Sequence, residues 1–285
     1  INFLSGNYNG KIYRVVNKKM KAYNRKSLFT RVFSGGVFSF QVIFYLLFAK
    51  KQPVFVVTNP PFSLFAVWLV SMIRKFSYSI LVYDLYPDVI HETKILNRDH
   101  IFIRIWESLS KRIFDKADVV FTISKGMKDK IRRYCKSPRI VVTPNWGSDS
   151  LRPINKLNNP LVSKYNLDGK IVIMYSGNIG VTHDLSFLLK LVAVFNNNDQ
   201  FRFVIMGGGI GFNKFKDEIH SRSTKNLLFF DYKSEEEFPL FLSLADFGIV
   251  TLARGLGNSS VPSKTYSYLN GGAAIISVAD RPNEV

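Results

Sequence analysis

The chain has 285 residues, 47% of them apolar, and a formal net charge of +18. This length favours two domains over one, and a single cysteine, Cys135, excludes an internal disulfide and indicates a reducing compartment. The longest apolar runs, at 37–49 and 62–73, are shorter than the roughly 20 residues that a membrane-spanning helix needs.

The positive charge is concentrated in the first half of the chain. Residues 1–150 carry +16 and residues 151–285 carry +2, which indicates an anionic partner such as a membrane surface, a nucleic acid or a phosphorylated ligand. No RRM, KH, zinc-finger or helix-turn-helix pattern is present, so a nucleic-acid binder is the weakest of these options. Basic residues interleave with large apolar ones at 31–33 and 73–76, a pattern typical of proteins that bind an anionic bilayer.

Strand and helix patterns alternate along the first half. Asn59-Pro60-Pro61 ends a short apolar run and opens an apolar helix. The predicted strands are 54–58, 78–83, 119–123 and 140–143, and the predicted helices are 62–75, 101–114 and 125–134. The segment 146–169 is rich in Asn, Pro, Ser and Gly and is predicted to be an interdomain linker.

The alternation resumes after the linker. The predicted strands are 171–175, 201–206, 227–230, 247–251 and 274–278, the predicted helices are 183–195, 235–245 and 262–270, and an element is expected at 215–219. Such alternation predicts an α/β fold with parallel sheets. Two blocks predict two doubly wound domains, 1–150 and 151–285, with ligands at the carboxyl ends of their strands.

The segment 258–278 has the pattern of an anion site. Ser259 and Ser260 can cap a helix whose first turn contains Pro262 and Lys264. Free N–H groups and the positive end of the helix dipole then face outward, and Lys264 adds a full charge, which predicts a phosphate site. An ordinary capped helix with a solvated lysine remains the alternative.

Two glycine clusters follow predicted strands of the second half. Gly177, Asn178 and Gly180 can bring backbone close to a ligand, although a tight strand-to-helix turn is the alternative. Gly207 and Gly209 belong to a second cluster that resembles a dinucleotide fingerprint but has a phenylalanine in place of the third glycine. A glycine loop lining a cleft is the better interpretation.

Carboxylates follow the second predicted strand. Asp84 and Asp88, with His91 nearby, can do acid–base chemistry or hold sugar hydroxyls, and a capped turn with a surface histidine is the alternative. The four histidines and one cysteine show no metal-ligand spacing, so no metal site and no cofactor are predicted.

These motifs occur together, in this order, in one family. The chain resembles the bacterial glycosyltransferases of family four, in the branch that builds capsule, O-antigen and related exopolysaccharides. The resemblance rests on Thr58-Asn-Pro-Pro61, Asp84-Leu-Tyr-Pro-Asp88, Ile123-Ser-Lys-Gly-Met127, Val142-Thr-Pro-Asn-Trp146, Tyr175-Ser-Gly-Asn-Ile-Gly180, Ile205-Met-Gly-Gly-Gly209 and the run from Val261 to Gly272.

The resemblance implies the GT-B architecture of two Rossmann-like domains facing a cleft. It implies a retaining, metal-independent hexosyl- or N-acetylhexosaminyl-transferase that moves a sugar from a nucleotide diphosphate sugar to a lipid-linked glycan. The enzyme would be cytoplasmic and peripheral on the inner face of the plasma membrane. The first domain would meet the acceptor and the second would bind the donor. Compared with the family, the chain is expected to lack a first strand and further helices at its end.

The implied donor site depends on the second-half motifs. Ser260, Ser263, Lys264 and the turn at 177–180 would meet the diphosphate. The family often keeps two glutamates where this chain has Ser259 and Ser267, and a serine cannot offer a bidentate carboxylate to the ribose diol. Two alternatives therefore stay open, namely a GT-B nucleotide-sugar epimerase or hydrolase, and a catalytically degenerate partner subunit of a transferase.

Overall fold

A computed structural model describes residues 2–8, 11–17, 28–92, 96–135, 139–148, 151–179, 186–209, 211–220, 224–252, 261–281 and 283. Two parallel sheets organise this part of the chain, one of four strands from the first half and one of five from the second. The expected α/β class with two Rossmann-like parallel sheets is confirmed.

The first sheet has the strand order β3-β4-β5-β6. Its strands are β3 (Val54–Val57), β4 (Tyr78–Val82), β5 (Val119–Thr122) and β6 (Arg139–Val142), and its helices are α2 (Ser63–Arg74), α3 (Asp88–Glu92), α4 (Ile101–Asp115) and α5 (Lys125–Ile131). Alternate residues of β4 are buried. Leu64 and Val67 of α2 pack in the same core as these residues. The alternating apolar pattern thus gives each strand a core-facing side.

The second sheet has the order β11-β10-β7-β8-β9. Its strands are β7 (Ile171–Asn178), β8 (Phe201–Gly208), β9 (Leu227–Phe230), β10 (Phe247–Thr251) and β11 (Ala274–Val278), and its helices are α6 (Pro160–Lys164), α7 (Ser186–Val194), α8 (Phe212–His220), α9 (Phe238–Leu242) and α10 (Lys264–Asn270). Separate apolar clusters cover its two faces. Burial on both faces explains why β7 and β8 are almost continuously apolar.

A hairpin and a helix precede the four-stranded sheet. Strands β1 (Asn2–Tyr8) and β2 (Lys11–Asn17) form an antiparallel hairpin, and the 21-residue helix α1 (Leu28–Phe48) packs against α2. The Arg74 guanidinium at the end of α2 donates to the carbonyl oxygens of Leu47 and Ala49, so it caps α1 and joins the two helices. Among the described residues, no helix is both long enough and apolar enough to cross a membrane.

Several helices are shorter than the sequence predicts. Helix α10 begins at Lys264 rather than Pro262, and Ser263 before it makes no side-chain capping hydrogen bond. Helix α9 covers 238–242 rather than 235–245, because Ser234 makes a turn in which its hydroxyl accepts from the Glu237 amide. These differences change the ends of elements but not their order.

Candidate functional site

A cleft of ≈ 630 Å³ lies at the carboxyl ends of both sheets. Both halves of the chain contribute to its walls, as expected for doubly wound sheets. The lining residues are Tyr83, Asp84, Val89, Ile123, Asn145, Ser176, Gly177, Asn178, Tyr232, Phe238, Leu242, Leu252, Val261, Pro262, Ser263, Lys264, Ser267 and Tyr268.

Asp84 is the carboxylate that the first sheet places in the cleft. The buried Thr58 hydroxyl at the end of β3 accepts hydrogen bonds from the backbone N–H groups of Tyr83 and Asp84, at 3.1 and 3.2 Å. This contact fixes the loop that carries Asp84. Burial raises the pKa of the Asp84 carboxyl because a charged carboxylate is poorly solvated there.

Asp88 and His91 lie outside the cleft lining, in a separate pocket of ≈ 170 Å³. The Asp88 carboxylate accepts a hydrogen bond from the Tyr134 hydroxyl and one of 2.6 Å from the Arg133 guanidinium. His91 lies on the short helix α3 and is exposed. The structure therefore separates these two residues from Asp84, and their predicted catalytic role stays a prediction.

The glycine clusters bring the ends of β7 and β8 into close contact. A Cβ on Gly207, which has φ +147°, would lie 2.0 Å from the carbonyl oxygen of Gly177. A Cβ on Gly209 would lie 2.2 Å from the Asn178 side-chain oxygen. Gly177 and Asn178 line the cleft, whereas Gly207 in β8 and Gly209 just after it lie directly against them.

Lys264 lines the cleft, and its ammonium group is buried rather than solvated. Its Nζ is buried and has no hydrogen-bond partner among the described residues. The ammonium lies 3.9 Å from the centre of the Tyr175 ring, and a Cβ on Gly177 would be only 3.4 Å from it. Burial lowers the pKa of Lys264 from 10.5 to about 7. An unpaired buried amine against a glycine turn is suited to receiving an anion.

The Tyr268 side chain fixes the position of α10 relative to β7. Its hydroxyl accepts from the Ser176 amide at 2.6 Å and donates to the Met174 carbonyl at 3.1 Å, and the side chain is fully buried. The ring occupies the space above Gly248, where a Cβ would lie 2.2 Å from it. The helix that carries Lys264 is therefore fixed relative to the Gly177 turn.

The remaining predicted site residues divide into two groups. Ser263 and Ser267 line the cleft, and the Ser267 hydroxyl lies 3.5 Å from the Ser263 carbonyl oxygen, to which it donates. Gly180, Ser259 and Ser260 lie outside the described residues.

Sequence reasoning missed Tyr83, Asn145 and Tyr232 in the cleft wall. Asn145 belongs to the Pro-Asn-Trp turn after β6, and Tyr232 comes two residues after the end of β9. Position at the carboxyl end of a strand is a signal that could have identified all three. The Tyr232 ring rests on the backbone of Gly208, where a Cβ would lie 3.0 Å from it.

Sequence comparison finds relatives among bacterial glycosyltransferases. The chain is 24% identical over 230 residues to "Probable glycosyltransferase WbjE" of Pseudomonas aeruginosa, an alignment that covers 80% of this chain and 57% of that protein. It is 30% identical over 173 residues to "Putative colanic acid biosynthesis glycosyl transferase WcaI" of Escherichia coli K12, covering 56% and 40%. The chain thus spans about half the length of these relatives, and no protein-family profile matches it.

Solved structures with the same fold are more distant in sequence. Anabaena Alr3699/HepE, crystallised in complex with UDP, superposes with a TM-score of 0.63 at 12% identity, covering 88% of this chain and 69% of that one. Sucrose-phosphate synthase of Thermosynechococcus elongatus gives 0.62 at 14% identity, covering 86% and 60%. Together with the two parallel sheets, these matches show the GT-B architecture that the sequence motifs predict.

Proposed function

We propose that this chain, which has the GT-B fold and is similar in sequence to bacterial glycosyltransferases of polysaccharide synthesis, is itself a glycosyltransferase. It takes a sugar from a nucleotide diphosphate sugar and adds it to a growing cell-surface glycan. The single observation that carries the proposal is the buried Lys264 ammonium against the Gly177 turn in the cleft, which has no hydrogen-bond partner within the part of the chain that the structure describes.

The proposed donor diphosphate lies against α10 and the end of β7. In this pose Lys264 faces the diphosphate, with the backbone of Gly177 and the amide of Asn178 beside it. The bond between the sugar's anomeric carbon and the diphosphate oxygen breaks, and negative charge grows on that oxygen. A positioned ammonium and backbone dipoles stabilise such charge strongly in a site with little water. This arrangement requires no metal ion in the chemistry.

Asp84 is the proposed acceptor-side group. The acceptor hydroxyl oxygen forms the new bond to the anomeric carbon, on the face that the diphosphate leaves in a retaining reaction, and its proton must be taken up. A carboxylate whose pKa is raised by burial accepts a proton more readily than an ordinary one. In this proposal Asp84 receives the proton or holds the acceptor hydroxyl.

The proposed acceptor is a lipid-linked glycan on the inner face of the plasma membrane. Two features support this acceptor, namely the charge of +16 on residues 1–150 and the name of one relative, a putative colanic acid biosynthesis glycosyl transferase. A cationic half fits a surface of anionic lipids.

Replacement of Lys264 by alanine tests the donor site. We expect Lys264→Ala to fold and to lose at least about tenfold in affinity for UDP, equivalent to about 1.4 kcal/mol, because the charge facing the diphosphate is removed. Titration calorimetry with UDP gives the affinity, and mass spectrometry of products from a panel of nucleotide sugars and lipid-linked acceptors gives the transfer. Lys190→Ala, an exposed lysine outside the cleft, is the matched control. An unchanged affinity of Lys264→Ala for UDP would contradict the donor-site assignment.

Ser267 favours a second candidate, a catalytically degenerate partner subunit. The Ser267 side chain lines the cleft at a position where the family that the chain resembles often has a carboxylate. A degenerate subunit would stabilise an active transferase without turning over donor. Turnover of a nucleotide sugar by the purified protein alone contradicts that candidate. Formation of a free epimer or free sugar without acceptor would instead favour an epimerase or hydrolase.

A further inference from the structure

Helix α1 has an apolar inner side that is already occupied. Gly35 and Ser39 are buried, and Val42 and Leu46 pack against the core of the first sheet. These positions follow the spacing of three and four residues that places side chains on one side of a helix. The inner side alone therefore accounts for the packing of α1 on the protein.

The outer side of α1 is apolar as well. Phe33, Phe40, Phe44 and Phe48 are 66%, 70%, 62% and 75% exposed, and they extend over ~22 Å of the helix. The adjoining part of α2 exposes Leu69, Met72 and Ile73. We name these seven side chains the aromatic face. A helix that is apolar on all sides is normally buried, and a contiguous exposed apolar patch marks an interaction surface.

The charged residues directly after the two helices of the aromatic face are basic. Lys50 and Lys51 follow α1, Lys75 follows α2, and all three are exposed. No aspartate or glutamate precedes Asp84 in the sequence, whereas twelve Lys and Arg residues do. An occupant of this surface must combine an apolar interior with negative charge at its boundary.

The contact between α1 and α2 fixes the direction of the face. Arg74 caps the end of α1 through the Leu47 and Ala49 carbonyls and joins it to α2, while the outer side of α1 is exposed from Phe33 to Phe48. Such a helix can lie in the plane of a membrane interface, with its aromatic side chains among the acyl chains.

We propose that the aromatic face is the surface by which this protein lies on a bilayer of anionic lipids. The inference deepens the proposed function and rests on it, since a lipid-linked acceptor is met at a bilayer. A second copy of the chain fits less well, because a face-to-face dimer brings like charges together. A nucleic acid supplies negative charge but no apolar layer for four exposed phenylalanines.

Flotation with vesicles tests the proposal. We expect the purified protein to float with vesicles of phosphatidylcholine and phosphatidylglycerol, and to float weakly with phosphatidylcholine alone. The double variant Phe40→Ser and Phe44→Ser should lose at least about tenfold in partitioning, because two aromatic side chains no longer enter the interface. The matched control is Leu157→Ser with Val194→Ser, which removes two exposed apolar side chains from the second half.

A second readout follows insertion directly. Phe44→Cys, labelled with an environment-sensitive dye, should shift its emission to the blue on anionic vesicles, and Leu157→Cys should not. Cys135 is buried and leaves the introduced thiol as the accessible one. Circular dichroism confirms that each variant is folded.

Two results would overturn the proposal. One is equal flotation of the Phe40/Phe44 variant and its control, or no flotation of either. The other is a dimer of the parent protein in sedimentation that the Phe40/Phe44 variant lacks, since the face would then belong to a second copy. UDP affinity, measured on the same variants, separates this failure from a failure of the donor site, because the aromatic face lies outside the cleft lining.

Discussion

At the scale of single residues, the environment of Lys264 controls how the cleft responds to pH. Its neighbours are the Tyr175 ring and the Gly177 turn, Tyr268 lies one helical turn further along α10, and Asp84 is the carboxylate among the cleft-lining residues. With its pKa lowered by burial to about 7, the Lys264 amine is only partly protonated at neutral pH in the empty protein. A diphosphate would raise that pKa by supplying an opposite charge.

Binding of a nucleoside diphosphate should therefore take up protons near neutral pH. The protonated amine is the form that binds, so we expect affinity to fall by up to about tenfold per unit as pH rises above 7. Calorimetry at a series of pH values, in buffers with different ionisation enthalpies, measures both affinity and proton uptake. Lys264→Met should lose this pH dependence, and a parent protein with flat affinity between pH 7 and 9 would contradict the prediction.

The burial of Lys264 also makes the stability of the folded protein depend on pH, because this lysine has a different pKa in the unfolded chain. The unfolded chain has Lys264 at its ordinary pKa and binds more protons than the folded chain between pH 7 and 10.5. Stability of the empty protein therefore rises with pH across that window, by at most about 5 kcal/mol from this group. Urea unfolding of Lys264→Met checks this, because the variant lacks the rise.

Sequence reasoning at this scale identified residue types but not their surroundings. The predicted phosphate lysine is in the cleft, yet its burial depends on Tyr175, which lies 89 positions earlier in the chain. The Asp84–Asp88 pair looks like one site in the sequence, but the structure gives Asp88 the partners Arg133 and Tyr134. A local sequence motif does not show which contacts its residues make with residues far away in the chain.

At the scale of elements, β7 and β10 separate beside the cleft. They pair at Ile173 and Met174, and beyond that point the Tyr268 hydroxyl bonds to β7 at Met174 and Ser176. Gly248 on β10 leaves the space that the Tyr268 ring fills. The gap between β7 and β10 thus depends on the Tyr268 side chain and on the absence of a side chain at Gly248.

Gly248→Ala should destabilise the protein by roughly 1–3 kcal/mol, because its Cβ would overlap the Tyr268 ring and force repacking. Gly36→Ala is the control, since it lies in α1 with open space around it and should be neutral or stabilising by up to about 1 kcal/mol. Urea unfolding measures both changes. Equal stability of the two variants would show that Tyr268 does not depend on the space at Gly248.

The order and type of the elements were largely predictable, since strands 227–230, 247–251 and 274–278 occur where expected. The glycine clusters were less predictable. Gly177 and Gly207 are still paired within the sheet rather than in a loop, because strands without side chains can approach closely at that point. Helix α1 is not among the predicted elements, because its packing on α2 is a contact between residues far apart in the chain.

At the scale of the whole molecule, α10 and the residues before it join the two sheets. Val261 belongs to the core of the first sheet and Tyr266 packs against it, while Tyr268 belongs to a core of the second sheet. The Asn270 side chain also donates to the Ser148 carbonyl in the predicted linker, at 3.1 Å. Side chains of this segment therefore help to set the relative position of the cleft walls.

Tyr266→Ala should loosen the contact between the two halves while leaving each sheet folded. We expect a larger radius of gyration in small-angle X-ray scattering, and weaker binding of a nucleoside diphosphate because the cleft walls separate. Leu269→Ala removes an exposed side chain of the same helix and should change neither quantity. A Tyr266→Ala protein with the parent's radius and affinity would contradict this account of the contact.

The hydrogen bond between the Ser176 amide and the Tyr268 hydroxyl can also be used to detect motion of α10. Most amides of β7 exchange with deuterium only when neighbouring strands open, but this amide is protected by a side chain of α10. Its exchange rate therefore follows the departure of one helix while the sheet stays intact. A change in deuterium uptake confined to Ser176 would reveal that the cleft opens by the motion of α10.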